Sequence, residues 1–292
     1  MIYDVRHLTT YGYSRPVPFA RCILRLLPRD DGGQTVRKSD LVVTPRPADR
    51  IDGICFFGNQ MTTLTISKAH RELKVEMRAR VEVNRPAPPF PGLTRHWEEV
   101  GGLALTSTSL APDSPTHHLY PSRLVPAVSE VVDYARRSFS PLRPVLEAAC
   151  ELMARIRADF TYDPDATEVT TPLAEAFRQR HGVCQDFAHI MIAGLRGLGL
   201  PAAYVSGYIR TIPPPGQKRL EGSDASHAWV MLWCGPETGW IGLDPTNDLI
   251  VADDHIVTAT GRDYADVAPL EGVVIGPGSQ AIDVAVDVIP VG

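Results

Sequence analysis

The spacing of apolar residues changes along this chain, and the change limits what each part can become. Between residues 2 and 83 apolar side chains return at every second position. Near the start, Tyr3, Val5, His7, Thr9, Tyr11 and Tyr13 share one side, the repeat of a strand. Val75, Met77, Ala79, Val81 and Val83 alternate with charged residues, as on a sheet with one face in water. Strands are expected at 2–13, 19–27, 39–44, 51–57, 60–67 and 72–83, with turn-forming runs at 28–33 and 45–47 between some of them. Repeated short strands of this kind predict a β-sandwich-like domain over residues 1–85. His7 and His70 read as ordinary sheet positions, and nothing in the region has catalytic spacing.

Residues 86–126 read as a proline-rich linker. It opens as a stiff spacer with Pro86, Pro88, Pro89 and Pro91. It continues through an irregular stretch at 106–126 with Pro112, Pro115, Pro121 and Pro126, where His117 and His118 read as a solvated loop. Past residue 127 the period becomes three to four. Val128, Val131, Val132 and Ala135 mark one helix. Val145, Leu146, Ala149, Leu152, Met153 and Ile156 mark a longer one, with Cys150 turned to the surrounding core. Thr171 and Pro172 read as an N-cap with proline at the first helical position, opening a short helix to about Arg178. With further strands after it, the region 127–292 is expected to be an α+β core, helices packed on an antiparallel sheet, the C-terminal strands included.

One stretch of that core carries chemistry. In residues 181–200 the residues Phe187, Ile190, Met191, Gly194, Leu195 and Leu198 form one helical face, and Gly199 and Pro201 end it. Cys184 then lies in the first turn, where free N–H groups and the dipole lower a thiol's pKa and favour thiolate. A thiolate nucleophile needs a base, and the base an orienter. Two candidate strands supply them: 224–234 with His227, and 240–244 ending at Asp244, joined by the turn residues 235–239. If Trp233 faces Thr238, paired numbers sum to 471. Met231 then faces Trp240, Trp229 faces Gly242, which leaves room for the indole, and His227 faces Asp244. Opposed residues share a face with Cβ atoms about 5 Å apart.

His189 is the rival base, but it stands roughly 140° around the helix from Cys184. It reads better as a helix histidine bonded to a neighbouring loop. Asp186 suits the helix start as a solvated cap, with a chemical role as the alternative. Tyr162 and Gln179, both upstream of the cysteine, are candidate donors to an oxyanion, and Trp229 is a further candidate for substrate contact. Tyr264 and Arg262 either line the cleft or bolt the last strands to the core. The proline-rich loop at 211–222 precedes the histidine strand and can edge a cleft.

Four blocks now resemble one family. They are Gly-Val-Cys-Gln-Asp-Phe-Ala-His, Gly-Leu-Pro-Ala-Ala-Tyr-Val-Ser-Gly-Tyr, Asp-Ala-Ser-His-Ala-Trp and Gly-Trp-Ile-Gly-Leu-Asp-Pro-Thr-Asn. In this order they resemble the bacterial transglutaminase-like proteins of the papain-like superfamily, and residues 1–85 resemble the amino-terminal domain that accompanies that core. The resemblance implies Cys184 as nucleophile, His227 as general base and acid, and Asp244 as the residue orienting His227. It implies acyl transfer through a thioester on peptide or protein amides. With water as acceptor the enzyme is a peptidase or amidase, which the resemblance favours; with an amine it is a transglutaminase. A non-catalytic scaffold remains the alternative of a different class, though a scaffold has no need of all three residues. Metal binding through Cys184, His189 and His227 is a third reading.

The chemistry requires no metal or cofactor. A net charge of −5 without a basic run argues against a nucleic-acid partner. No apolar run approaches the roughly 20 residues of a membrane span, and the first residues lack a leader's apolar stretch. Five cysteines, Cys22, Cys55, Cys150, Cys184 and Cys234, are an odd number without a CxxC pair. They suggest neither a disulfide framework nor a zinc site, and fit a reducing cytoplasm.

Overall fold

The computed structural model describes residues 1–211 and 225–291. Beyond Thr211, the loop expected at 211–222 lies outside them. Six strands come first: β1 (Ile2–Val17), β2 (Phe19–Leu24), β3 (Gln34–Thr44), β4 (Asp49–Ile54), β5 (Gln60–Ile66) and β6 (His70–Val83). The middle holds α1 (Trp97–Leu105), α2 (Ser129–Arg136), α3 (Val145–Asp159), β7 (Thr161–Tyr162), α4 (Leu173–Gln179), β8 (His181–Gly182) and α5 (Cys184–Gly197). The chain ends with β9 (Ala202–Ile209), β10 (Ala225–Trp233), β11 (Trp240–Asp244), β12 (Leu249–Ile250), β13 (His255–Gly261), the short α6 (Tyr264–Val267), β14 (Leu270–Ile275) and β15 (Gln280–Pro290).

Alternation along β1 and β6 buries one side of each strand, as its period requires. Leu73, Val75, Met77, Ala79, Val81 and Val83 are all buried. The strands form two antiparallel sheets, ordered β15–β1–β6–β3 and β14–β2–β5–β4. Their inner faces meet in one cluster, with Tyr3, Val5, Val75 and Met77 against Leu24, Leu64 and Ile66. This is the expected sandwich, with one correction. The two C-terminal strands, expected with the core, complete the N-terminal sheets instead: β15 pairs with β1 from Tyr3↔Pro290 to Tyr13↔Gln280, and β14 pairs with β2. Without them β1 and β2 would each end a sheet with a row of unpaired backbone groups.

The region expected to be linker contains a helix. In α1, Val100 and Ala104 are fully buried, and Glu98 and Glu99 occupy its first turn, where the dipole favours acids. His118, expected in a solvated loop, is also buried, edge-on to Trp240 at 5.3 Å and 5.5 Å from Phe57 between ring centres. Burial pushes its pKa down to about 3.

The core sheet runs β12–β11–β10–β9–β13, antiparallel throughout. One face packs on α5, which brings Phe187, Ile190 and Met191 together with Tyr204, Ala228 and Val230. Its edge, β13, is satisfied by two amides from the N-terminal half. Gln34 accepts from Val257 N–H at 2.8 Å and donates to Val257 C=O at 2.9 Å. Asn59 does the same for Thr260, at 2.8 Å each way. Two side chains thus stand in for a missing neighbour strand and fix the sandwich against the core, since a buried unpaired peptide group is costly. At the far end of α5, the buried Arg196 donates to the carbonyls of His118, Tyr120, Ala202 and Arg262 and to Ser122 Oγ, tying loops 118–122 and 262 to the helix.

Candidate active site

Cys184 is the first residue of α5, with Val183 as an extended N-cap. The parallel pairing of β7 and β8, Tyr162↔Gly182, sets the line on which the chain enters the helix. Asp186 closes the first turn: its Oδ2 accepts from Val183 N–H at 2.9 Å and from Thr167 Oγ1 at 2.6 Å. It is the expected cap, but it is buried rather than solvated, and burial raises its pKa. Gly182 makes this possible, because a Cβ there would stand 2.6 Å from the same carboxylate oxygen. The half-buried Cys184 therefore sits in the first turn, whose N–H groups a helix start leaves without intrahelical partners.

His227, the candidate base, comes from β10 and Asp244, the candidate orienter, from β11, in a register different from the expected one. Trp233 pairs with Trp240 and Val230 with Leu243, a sum of 473. The turn is wider by two residues because Cys234 N–H bonds Gly239 C=O and Gly239 N–H bonds Gly235 C=O. A slip of two preserves the face, so His227 and Asp244 still meet, diagonally: His227 Nε2 donates to Asp244 Oδ2 at 2.8 Å. Gly242 does not accommodate Trp229; its missing Cβ leaves room for Val251, while Gly207 on β9 admits the indole.

Asp244 is fully buried and densely solvated by protein. Its Oδ1 accepts from the backbone N–H of Thr246 and Asn247, at 3.0 and 3.2 Å. Its Oδ2 also accepts from Asn247 Nδ2 at 2.8 Å and His255 Nε2 at 3.1 Å. Burial alone would raise its pKa, but the bonds from His227 and His255 outweigh it and hold the carboxyl well below the usual range. For His227 burial opposes the charge. Its bonds to Asp244 and then to Cys184, with their negative charges, win and raise its pKa to about 10. A carboxylate only accepts, so Nε2 carries the hydrogen and Nδ1 is the nitrogen left for the thiol. The three residues form one hydrogen-bonded chain, an arrangement suited to moving a proton between sulfur and imidazole.

Three tyrosines lie in the electrostatic field of the thiol. Burial, then the charge of Cys184, raises the pKa of Tyr162, Tyr204 and Tyr264, so each keeps its proton and can donate. Tyr162 and Tyr264 were sequence candidates. Tyr204 was not, and its block of fully buried strand residues offers no alternation to single it out. Gln179 is not brought to the thiol: α4 buries Leu173, Ala176 and Phe177, which leaves Gln179 exposed and donating to Glu175. Trp229 is fully buried behind the imidazoles, with ring centres 6.1 Å from His227 and 5.2 Å from His255. Arg262 pairs with Asp266 on the surface. His189 behaves as expected, accepting from Tyr264 N–H at 3.2 Å, and burial lowers its pKa to about 4. Cys184, His189 and His227, the grouping of the third reading, are not among the convergent ligand sets of the described residues. Among the described residues His227, Asp244 and His255 offer ligand atoms within 4.8 Å of one another, and their mutual hydrogen bonds already account for that closeness. A cavity of about 830 Å³ opens between the sandwich and the sheet face opposite α5; Cys184, His227 and Asp244 are not in its walls.

Comparison with known proteins agrees with this architecture. Residues 3–82 match the bacterial transglutaminase-like N-terminal region, and residues 132–245 match the transglutaminase-like superfamily. A Mycobacterium tuberculosis protein, described as uncharacterized, is 41% identical over 99% of this chain and 92% of its own length. A protein-glutamine gamma-glutamyltransferase from Pseudomonas aeruginosa is 33% identical over 38% of this chain and 18% of its own. A solved Cytophaga hutchinsonii structure, provisionally named a cysteine protease, superposes with a TM-score of 0.77 at 21% identity, covering 100% of this chain and 92% of that one.

Proposed function

Because this chain belongs to the transglutaminase-like superfamily and carries its bacterial N-terminal region, we propose that it is a cysteine-dependent acyl-transfer enzyme acting on peptide-like amides. The observation that carries the reading is the hydrogen-bonded chain from Cys184 through His227 to Asp244. Cys184 gives its proton to His227 Nδ1 and its sulfur attacks the amide carbonyl carbon. The developing oxyanion meets the backbone N–H groups of the first turn of α5, with a tyrosine hydroxyl as second donor. His227 protonates the leaving amine as the C–N bond breaks, and a thioester remains. Water, deprotonated by His227, then attacks the thioester, releasing an acid and restoring the thiol. Asp244 keeps the imidazole in the tautomer and orientation that both steps need.

A second reading has its own support. The Pseudomonas aeruginosa relative is a protein-glutamine gamma-glutamyltransferase, and an amine in place of water at the last step makes this chain a transamidase on protein glutamine.

The test is the rate of iodoacetamide labelling against pH, wild type beside His227→Ala, with the modified cysteine mapped. An ordinary thiol of pKa near 8.5 loses about tenfold in rate per pH unit on the acid side. In wild type, Cys184 should label nearly as fast at pH 6 as at pH 8, with His227→Ala slower at pH 6 by on the order of a hundredfold. Equal, steeply falling rates in both would sink the reading. Incubation with glutamine-containing peptides, with and without a primary amine, then separates hydrolysis from transamidation by product mass.

A further inference from the structure

We propose that His255 is a positioning residue of the same reacting unit: it holds the Asp244 carboxylate in line with His227. The proposal rests on the triad reading above and adds a second histidine to it.

His255 opens β13, far in sequence from the cysteine helix, yet its Nε2 lies 3.1 Å from the same Oδ2 that takes the hydrogen bond of His227. The carboxylate can only accept, so the hydrogen of His255 sits on Nε2. Its Nδ1 is buried and has no hydrogen-bond partner among the described residues. The bond to Asp244 is therefore the one side-chain hydrogen bond of this ring among the described residues, and its backbone and ring face are held by other contacts. Its backbone pairs with Ile209, its carbonyl accepts from Arg85 Nη2 at 3.4 Å, and its face is closed by the indole of Trp229, edge-on at 5.2 Å.

Asp244 is in the opposite situation. It is the last residue of β11, at the point where the chain turns away, and its carboxylate must be aimed. Oδ1 is held by two backbone N–H groups of the turn. Oδ2 is aimed by Asn247, which belongs to that same turn, and by His255, which belongs to a strand at the far edge of the sheet. His255 is the donor that references Asp244 to the sheet carrying His227. A histidine serves because it donates and also packs edge-to-face against Trp229; an amide donates without filling that space, and a hydrocarbon ring fills it without donating.

The ionisable groups around the ring are Asp244, His227 and, through His227, Cys184. Arg85 reaches its carbonyl, and Asp253 and Asp254 just before it are engaged by the Arg85 backbone, Tyr3 and Arg210.

Two variants of the full chain divide donation from packing. His255→Gln keeps a donor near Oδ2; His255→Phe keeps a ring against Trp229. The readout is the pH profile of iodoacetamide labelling at Cys184, with circular dichroism to verify folding. His255→Gln should stay within about threefold of wild type at pH 6, while His255→Phe should fall about tenfold there. Labelling of folded His255→Phe at the wild-type rate overturns the proposal. So does a fall in His255→Gln as large as in His255→Phe, because a donor kept near Oδ2 would then preserve nothing. If wild type itself shows no dependence on His227, the triad reading fails first, which is a separate result.

Discussion

The indole of Trp229 fills the space that a β-carbon on Gly207 would need: its Cη2 would stand 2.5 Å from that carbon. Gly207 lies across from His227 in the β9–β10 pairing, so this fit sits directly behind the imidazole. The carbonyl oxygen of Ile256 crowds the same point. Neither neighbour can yield, one being backbone and the other a fully buried ring. Overpacking of a tight core usually costs 1–3 kcal/mol. Gly207→Ala should lose about 3 kcal/mol or more of unfolding free energy in urea, and its folded fraction should label more slowly at Cys184 as the two imidazoles are displaced.

Why some of this was legible in the chain, and some not, follows from burial. β6 has one face in the sandwich core and one in water, so its apolar residues alternate and announce the strand. β9 and β13 are buried on both faces, which erases alternation; Tyr204 and His255 were missed for that reason. In α1 two buried residues, Val100 and Ala104, make too narrow a stripe to stand out between two proline-rich stretches. The pairing of β14 and β15 with the N-terminal sheets depends on which edges stand open after folding, and strand periodicity carries no such information. The hairpin shows both sides of the limit. The face shared by His227 and Asp244 followed from parity, which survives a slip of two, whereas the partner of Trp229 depended on turn width.

The ion pair between His227 and Asp244 gives stability a defined pH window. Asp244 has a depressed pKa in the folded chain, so its contribution is present above the ordinary value of 3.8 and fades as pH falls below it. His227 has a raised one, so its contribution is complete below 6.5 and is lost as pH rises toward about 10. Removing one partner of a buried pair costs about 3–5 kcal/mol. The difference in unfolding free energy between wild type and Asp244→Asn should be of that size from about pH 4 to 6.5. It should shrink on both sides, as measured by urea titrations at several pH values.

Among the described residues Arg196 has no carboxylate partner within hydrogen-bonding reach; four backbone carbonyls and a serine hydroxyl occupy its guanidinium. Burial pushes its pKa down only to about 10, so the charge is kept at neutral pH. A lysine brings three donors from a single point and cannot span acceptors on three separate segments. Arg196→Lys should cost about 3 kcal/mol, at one to three for each group left unpaired, and Arg196→Met more. The order of urea midpoints, wild type above lysine above methionine, checks it.

The glycine two residues before Cys184 gives the most local test of how the thiol is set. A methyl group on Gly182 would press on Asp186 Oδ2, with the Cβ 2.6 Å from it and 2.9 Å from the Asp186 Cβ. That carboxylate holds the Val183 N–H and the Thr167 hydroxyl. A side chain at 182 therefore dislodges the cap, and with it the first turn that carries Cys184. Loss of a helix cap costs about 1 kcal/mol, a small part of the stability of a chain this size, so Gly182→Ala should remain folded by circular dichroism. Its Cys184 labelling at pH 6 should nonetheless fall at least about tenfold, because the thiol then loses its alignment with His227 and with the helix start. Unchanged labelling in the folded variant would mean that the first turn is held by something other than Asp186.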